Sequence, residues 1–471
     1  MKLNTLTVAF LLFLFVGKIN AKVVLPAVLS NNMVLQQNTE VKLWGTADKN
    51  KTVEITASWS SNKYTAKADA NGKWLLKIKT PKAGGPHTIT FNDGSGNLTL
   101  NNVMTGEVWL CSGQSNMAMS MRGYRSNPPQ TILNSDEIIR RANNPNLRLM
   151  TVGRGPSLIP QQDFKGEWKV TTPEVATEFS AVAYQFGEML QKRLGVPVGI
   201  IVSAYGGTKI ECWMSKEALK PFPEVNIPGR LDTVKQDYKE PTVHFNSMIY
   251  PLVNFTIKGW LWYQGESNRS TADAYKKLFP AMVADWRKRW NLGELPFYYT
   301  EIAPYANKEK GGVGVKMRYI QLRAMKDIPN SGMAAITDVG MEKFIHAMDK
   351  TTVAKRLSYW ALGNTYGIKG ISYRSPLYKS HKTDGNKIIV NFENSTNGIT
   401  SYGKPITLFE LAGEDGKFYQ ATAKITDSGN IEVSTKEVTK PVNVRYAWKD
   451  WVVGEVYNTD GLPLPSFTTE Y

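Results

Sequence analysis

Three short blocks of this chain set a hydroxyl, amides, paired glycines and a carboxylate where strand-forming runs give way to small polar residues. The first is Gly106-Glu107-Val108-Trp109-Leu110-Cys111-Ser112-Gly113-Gln114-Ser115-Asn116-Met117. Its apolar run ends abruptly, and a helix-compatible stretch with Met and Ala follows. That layout delivers the Ser115 hydroxyl to the end of a strand, where open α/β sheets place their ligands. A serine in a polar loop is commonly only a solvated turn residue. A nucleophilic serine also needs a base to take its proton and donors aimed at a developing oxyanion. The second block, Ser203-Ala204-Tyr205-Gly206-Gly207-Thr208-Lys209-Ile210-Glu211-Cys212-Trp213, again follows a strand-type run. Its paired glycines let a backbone N–H come close to a ligand. The third, Trp260-Leu261-Trp262-Tyr263-Gln264-Gly265-Glu266-Ser267-Asn268, closes a buried-looking run with an amide, a glycine and a carboxylate. By themselves these are a turn and a strand cap. Beside a nucleophile they make Gln264 an oxyanion donor and Glu266 the acid of a triad or its support.

Counting narrows the base, because the chain has 4 histidines. His87 and His381 lie in β-type segments near the two ends, and His244 follows Pro241-Thr242-Val243 with no role to assign. His346 lies in a loop that begins at Asp338 after an expected strand and leads into an expected helix. Position after a strand of the sheet that carries Ser115 makes His346 the base. No His/Cys/carboxylate grouping has the spacing of a zinc site, so neither a metal nor an organic cofactor is expected.

These residues need a scaffold that brings strand ends together. From 105 to 370, strand-type runs (107–111, 198–203, 258–263, 297–302 and 333–337) alternate with helical periods at 182–194, 272–290, 317–326 and 351–365. Such alternation predicts a doubly wound parallel α/β sheet. Pro280 is expected to kink or divide its helix. Residues 22–104 and 371–471 instead show short β-type runs between turn signals, as in small sandwich-like units. Examples are Val41-Lys42-Leu43-Trp44-Gly45 and Lys387-Ile388-Ile389-Val390-Asn391-Phe392. The expected organisation is therefore an export signal over 1–21, a β-rich unit over 22–104, an α/β catalytic unit over 105–370 and a β-rich unit over 371–471.

The signal reading rests on Lys2, an apolar run from Leu6 to Val16, and Ala21 at the cleavage point. That run is too short to span a bilayer comfortably, and no cysteine near Ala21 offers a lipid anchor. The mature chain is expected to be exported, periplasmic or secreted, with no membrane anchor. Only Cys111 and Cys212 are present, either as a pair or as two buried thiols, so no disulfide framework builds this fold. The formal charge of +16 comes from scattered lysines with no basic run. It is a general surface property that suits acidic sugars or anionic polymers, and nucleic acid is not an expected partner.

The three blocks resemble those of the GDSL-like (SGNH) carbohydrate esterases, particularly the sialate O-acetylesterase family. The resemblance extends to Leu25-Pro26…Asn32-Met33-Val34-Leu35-Gln36-Gln37, Asp285-Trp286-Arg287, Leu295-Pro296-Phe297, Ile345-His346…Lys350…Arg356-Leu357 and Gly461-Leu462-Pro463. It implies an SGNH-hydrolase-like fold and hydrolysis of sugar O-acetyl esters through an acetyl-enzyme. Ser115 becomes the nucleophile, His346 the base, and the N–H groups of Ser115 and Gly207 with the Gln264 amide the oxyanion hole. Asn116 and Trp213 are the expected substrate-binding residues, and Trp213, like Trp109 and Tyr205, is either a stacking surface for a sugar or equally core. O-acetylated sialic acid is the implied substrate. Acetylated xylan or another plant glycan is the runner-up, and a sugar-binding protein without catalysis is the rival class. One departure stands out. Family members read Asp-Ile-His-Pro at the histidine, or carry an aspartate three residues before it, whereas this chain has Phe344, Lys343 and Ala347 at those places. Glu266 is the first choice to orient His346, with Asp338, Asp349 or an unassisted Ser–His pair as alternatives.

Overall fold

The computed structural model describes residues 23–306 and 311–470; the expected export signal lies outside them. The central sheet contains, in chain order, β1 (Asn97–Gly113), β2 (Asn144–Thr151), β3 (Trp168–Thr171), β4 (Val198–Ala204), β5 (Gly259–Tyr263), β6 (Phe297–Thr300) and β7 (Ser331–Ala334). Their order is β7-β6-β5-β1-β4-β2-β3. All neighbours are parallel except β3, which is antiparallel to β2 at the edge. The chain thus lays β2 to β4 on one side of β1 and β5 to β7 on the other. That reversal opens a crevice at the carboxyl ends of β1, β4 and β5, the usual ligand position in such sheets.

Side-chain alternation along β1 explains why helices cover both faces. Val108 and Leu110 share a core with Met282 and Trp286 of α2 (Ala272–Trp290) and Met317 of α3 (Val313–Asp327). Trp109 and Cys111 point the other way. They join Phe186 of α1 (Ala181–Leu194) and Leu357 of α4 (Lys350–Trp360). Helix α2 is undivided despite Pro280. The proline removes the partner of the Lys276 carbonyl, and Lys276 is exposed, so water can satisfy it.

Strands β2 and β3 were not legible. Pro145, two asparagines and Arg148 blur the apolar alternation of β2, and β3 has only 4 residues. Arg148 is nonetheless buried, and its guanidinium donates to the Pro145 carbonyl, Asn32 and Asn102. β1 also runs further back than its apolar stretch suggested. Its first half pairs with Gly84–Asn92 and with Val34–Gln36, so position 104–105 falls inside one continuous strand. Towards the carboxyl terminus two four-stranded sheets surround a separate apolar core that includes Ile388, Phe409 and Val444. No helix among the described residues is long and apolar enough to cross a membrane.

Candidate active site

β1 ends at Gly113, where φ is +140° and a Cβ would lie 2.2 Å from the Tyr263 carbonyl oxygen. Only glycine allows this turn against β5. Two residues later Ser115 opens a helical turn, Ser115–Ala118. Its Oγ donates to His346 Nε2 at 2.8 Å. The other ring nitrogen, Nδ1, donates to Gln130 Oε1 at 2.5 Å. A carbonyl oxygen can only accept, so Gln130 fixes the tautomer that presents a lone pair to Ser115. Tyr124 donates its hydroxyl to the Ser115 carbonyl at 2.7 Å and sets its ring edge against the imidazole, with centroids 5.0 Å apart. Tyr124 and Gln130 share one loop, closed by reciprocal backbone hydrogen bonds of 2.8 and 3.1 Å. Burial, reinforced by Lys350, pushes His346 down to about 4. The ring is therefore neutral near pH 7, as a general base must be.

None of the three carboxylates expected to orient His346 does so. Glu266 is buried, and its Oε1 accepts from Asn116 Nδ2 at 2.5 Å. Asp338 grips Arg356 through two contacts of 2.6 and 2.7 Å, and Asp349 caps α4 through the N–H and hydroxyl of Thr352. Gln130, which carried no motif signal, takes the place of the acid. Asn116, expected at the substrate, is instead fully buried and does not line the cavity. Its Nδ2 also donates to the Ile345 carbonyl at 3.1 Å, and its Oδ1 accepts from Lys350 Nζ at 2.5 Å. Asn116 thereby ties the nucleophile turn, the Glu266 loop and the residue before His346 together. Burial pushes Glu266 up and Lys350 down to about 7, while their mutual attraction opposes both shifts.

Gln264 is not an oxyanion donor here. Its amide nitrogen donates to the Thr208 carbonyl at 3.1 Å and to Asn268 Oδ1 at 2.9 Å, which uses both N–H bonds. It braces the glycine loop instead. That loop sits against the nucleophile: a Cβ on Gly206 would lie 3.4 Å from Ser115 Cβ, and Gly207 has φ +74°. The N–H groups of Ser115 and Gly207 have no acceptor among the described residues. Trp213 and Trp109 are core. Their indole N–H groups donate to Thr208 Oγ1 and to the Tyr366 hydroxyl, and both side chains are fully buried. Tyr205 does line the cavity, stacked on Tyr238 at 5.2 Å and on His244 at 4.8 Å. Buried His244 donates Nε2–H to the Tyr238 carbonyl at 2.7 Å. Burial pushes it down to about 4, so it stays neutral as a wedge behind the two tyrosines. Cys111 and Cys212 are separate, buried, free thiols.

Above Ser115 and His346 opens a cavity of about 1270 Å³, which Tyr124, Arg154, Tyr205, Gly207 and Tyr238 also line. A pocket of that size takes a sugar and part of the glycan attached to it.

Residues 105–360 match the family model described as carbohydrate esterase, sialic acid-specific acetylesterase. Human sialate O-acetylesterase is 28% identical over 475 residues, covering 90% of this chain and 87% of its own. The mouse sialate O-acetylesterase is 28% identical over 527 residues, with 94% and 93% covered. A solved carbohydrate acetylesterase from Xanthomonas citri superposes with a TM-score of 0.87 at 31% identity, over 95% of this chain and 100% of that one. On the family match and this last likeness, set beside a serine and a histidine in contact at the sheet's crevice, the chain belongs to the carbohydrate esterase family of sialic acid-specific acetylesterases.

Proposed function

We propose that this protein is a serine esterase that removes O-acetyl groups from sugars, foremost O-acetylated sialic acids, through an acetyl-enzyme. The observation that carries the reading is the 2.8 Å contact between Ser115 Oγ and His346 Nε2 at an open cavity. His346 Nε2 accepts the Ser115 proton as Oγ bonds to the acetyl carbonyl carbon. The carbonyl oxygen, now negative, is met by the N–H groups of Ser115 and Gly207. Collapse breaks the carbon–oxygen bond to the sugar, whose oxygen leaves with the proton from Nε2. Water then attacks the acetyl group, passing a proton to Nε2, and acetate departs as Oγ regains that proton. The contact also speaks against the binding-protein alternative, which needs neither a neutral histidine nor a serine aimed at it. The same reading makes the α/β core an SGNH-type unit over 105–370 with β-rich units over 22–104 and 371–471. It takes residues 1–21 as an export signal and the mature enzyme as periplasmic or secreted.

Acetate release from O-acetylated sialic acid, with acetylated xylan in parallel, tests the reaction. Release from the sialic acid supports it in full. Release from xylan alone keeps the chemistry and changes the sugar, and release from neither leaves the sugar-binding alternative.

A pH profile reads the base. With His346 near 4, kcat/KM is level above about pH 5 and falls as the ring protonates below it. Gln130→Ala lowers kcat on the order of 10²-fold by releasing the ring. Gln130→Glu sets a carboxylate against Nδ1–H, stabilises the imidazolium, and moves the acid limb about one to three units higher. An acid limb that stays in place would separate Gln130 from the base.

A further inference from the structure

The cavity wall beside the glycine loop carries positive charge that no internal carboxylate takes up. Arg154 is exposed and lines the cavity, and its guanidinium lies 5.1 Å from the centroid of the Tyr205 ring. No ion pair engages it among the described residues. Tyr205 directly precedes Gly206, whose Cβ position is within 3.4 Å of Ser115 Cβ. Arg154 lines one and the same cavity as Ser115. Its field also reaches Tyr124, which donates to the Ser115 carbonyl: burial pushes that hydroxyl up to about 12 and Arg154 pulls against the rise.

A second cation flanks the same wall. Lys239 Nζ lies 5.6 Å from the centroid of the Tyr238 ring, and its Cε is 3.7 Å from where a Cβ on Gly207 would be. Two stacked tyrosines thus carry a cation each, next to the backbone N–H proposed to meet the oxyanion. Of the acids lining the cavity, Glu266 is held by Asn116 and Glu211 accepts from Asn268 at 3.0 Å, while Glu224 and Glu240 complete the set. An aromatic surface beside a guanidinium with no ion-pair partner suits a sugar ring that bears a carboxylate, because the planar fork of arginine donates an N–H to each carboxylate oxygen.

We propose that Arg154, assisted by Lys239, binds the carboxylate of an acidic sugar while that sugar's O-acetyl group lies at Ser115, so that Arg154 selects acidic over neutral acetylated glycans. This rests on the esterase reading above and assigns its selectivity to a side chain. The carboxylate can belong to a sialic acid or to a uronic acid, and the substrates chosen for the test separate the two.

The test compares kcat/KM of the full protein for O-acetylated sialic acid, for its carboxyl methyl ester and for an O-acetylated uronic acid. An activated aryl acetate serves as the ester without a sugar. Wild type is expected to favour the free acid over the methyl ester by about 10- to 100-fold, the range of a charge-assisted hydrogen-bonded pair, chiefly through KM. Arg154→Gln brings that ratio to within about threefold of one, and Arg154→Lys, which keeps charge without the fork, retains part of it. A purely structural arginine would scale both substrates alike and leave the ratio standing. A wild-type enzyme indifferent to methylation, or an Arg154→Gln variant that keeps the ratio, overturns the proposal. A stronger preference for the uronic acid that Arg154→Gln abolishes supports it and assigns the carboxylate to that sugar. Failure to cleave any of the four esters overturns the esterase reading itself and the proposal with it.

Discussion

Ser115→Ala lowers acetate release by about 10⁴-fold or more while the protein stays folded. Removal of one member of a hydrolytic Ser–His constellation leaves only what binding and oxyanion donors supply, and losses of that order follow. Here the substitution removes little else. The side chain's hydrogen bond goes to His346, whereas the backbone carbonyl of Ser115 keeps Tyr124 and the Met119 N–H. The thermal midpoint should therefore move little and the cavity should still bind sugar. Kinetics on the preferred acetylated substrate check the claim, with mass spectrometry of the wild type during turnover to catch an acetyl group on Ser115. A variant retaining a tenth of the activity would end the assignment of Ser115 as nucleophile.

Asn116→Leu is expected to destabilise the fold by about 3–5 kcal/mol, the range for breaking a buried charged network on one side. The asparagine carboxamide is the shared partner of Glu266, Lys350 and the Ile345 carbonyl. Leucine fills nearly the same volume but offers no polar atom. The Lys350 amine and the Glu266 carboxyl then remain buried with fewer hydrogen-bond partners, and the desolvation of each polar group is less compensated. Because Ile345 precedes His346, the base loop loosens as well, and kcat falls together with stability. Urea unfolding of wild type and variant at neutral pH measures the first effect. An unchanged midpoint would mean that Glu266 and Lys350 satisfy each other without Asn116.

The acid of the expected triad shows why side-chain type alone misled. Glu266 sits one residue past Gly265 at the end of β5, next to the strand that carries Ser115, and that placement made it a reasonable partner for His346. Packing turns it instead into the buried network around Asn116, and burial raises it. Gln264 shares the strand end and was read as a donor to substrate, yet the loop it braces consumes its amide. Trp213 suffered the same fate: large aromatics at a strand–loop junction suit core and sugar stacking equally, and burial decided for core.

Much of the scaffold was legible for an opposite reason. Each of β1, β4, β5 and β6 contains a run of apolar residues buried on both faces, and such runs follow from local composition. β2, with its proline, asparagines and buried arginine, is held as strand by pairing with β4 along five residues and with β3 on its other edge. Tertiary pairing overrode its weak local preference.

By itself, then, the sequence determined the strand–helix alternation, placed Ser115 and the paired glycines Gly206-Gly207 just past strand ends, and, from four histidines, narrowed the candidates for the base to His346. Those properties are local: a run of apolar residues, a positive φ or a rare residue type can be read within a dozen positions. Only the tertiary structure decided what each amide and carboxylate bonds to. Gln130 meets His346 across 216 residues and Ser115 meets it across 231. Amides and acids bond to whatever donor or acceptor burial leaves within 3 Å of them. That neighbour is a property of packing, and nothing in the spacing along the chain announces it.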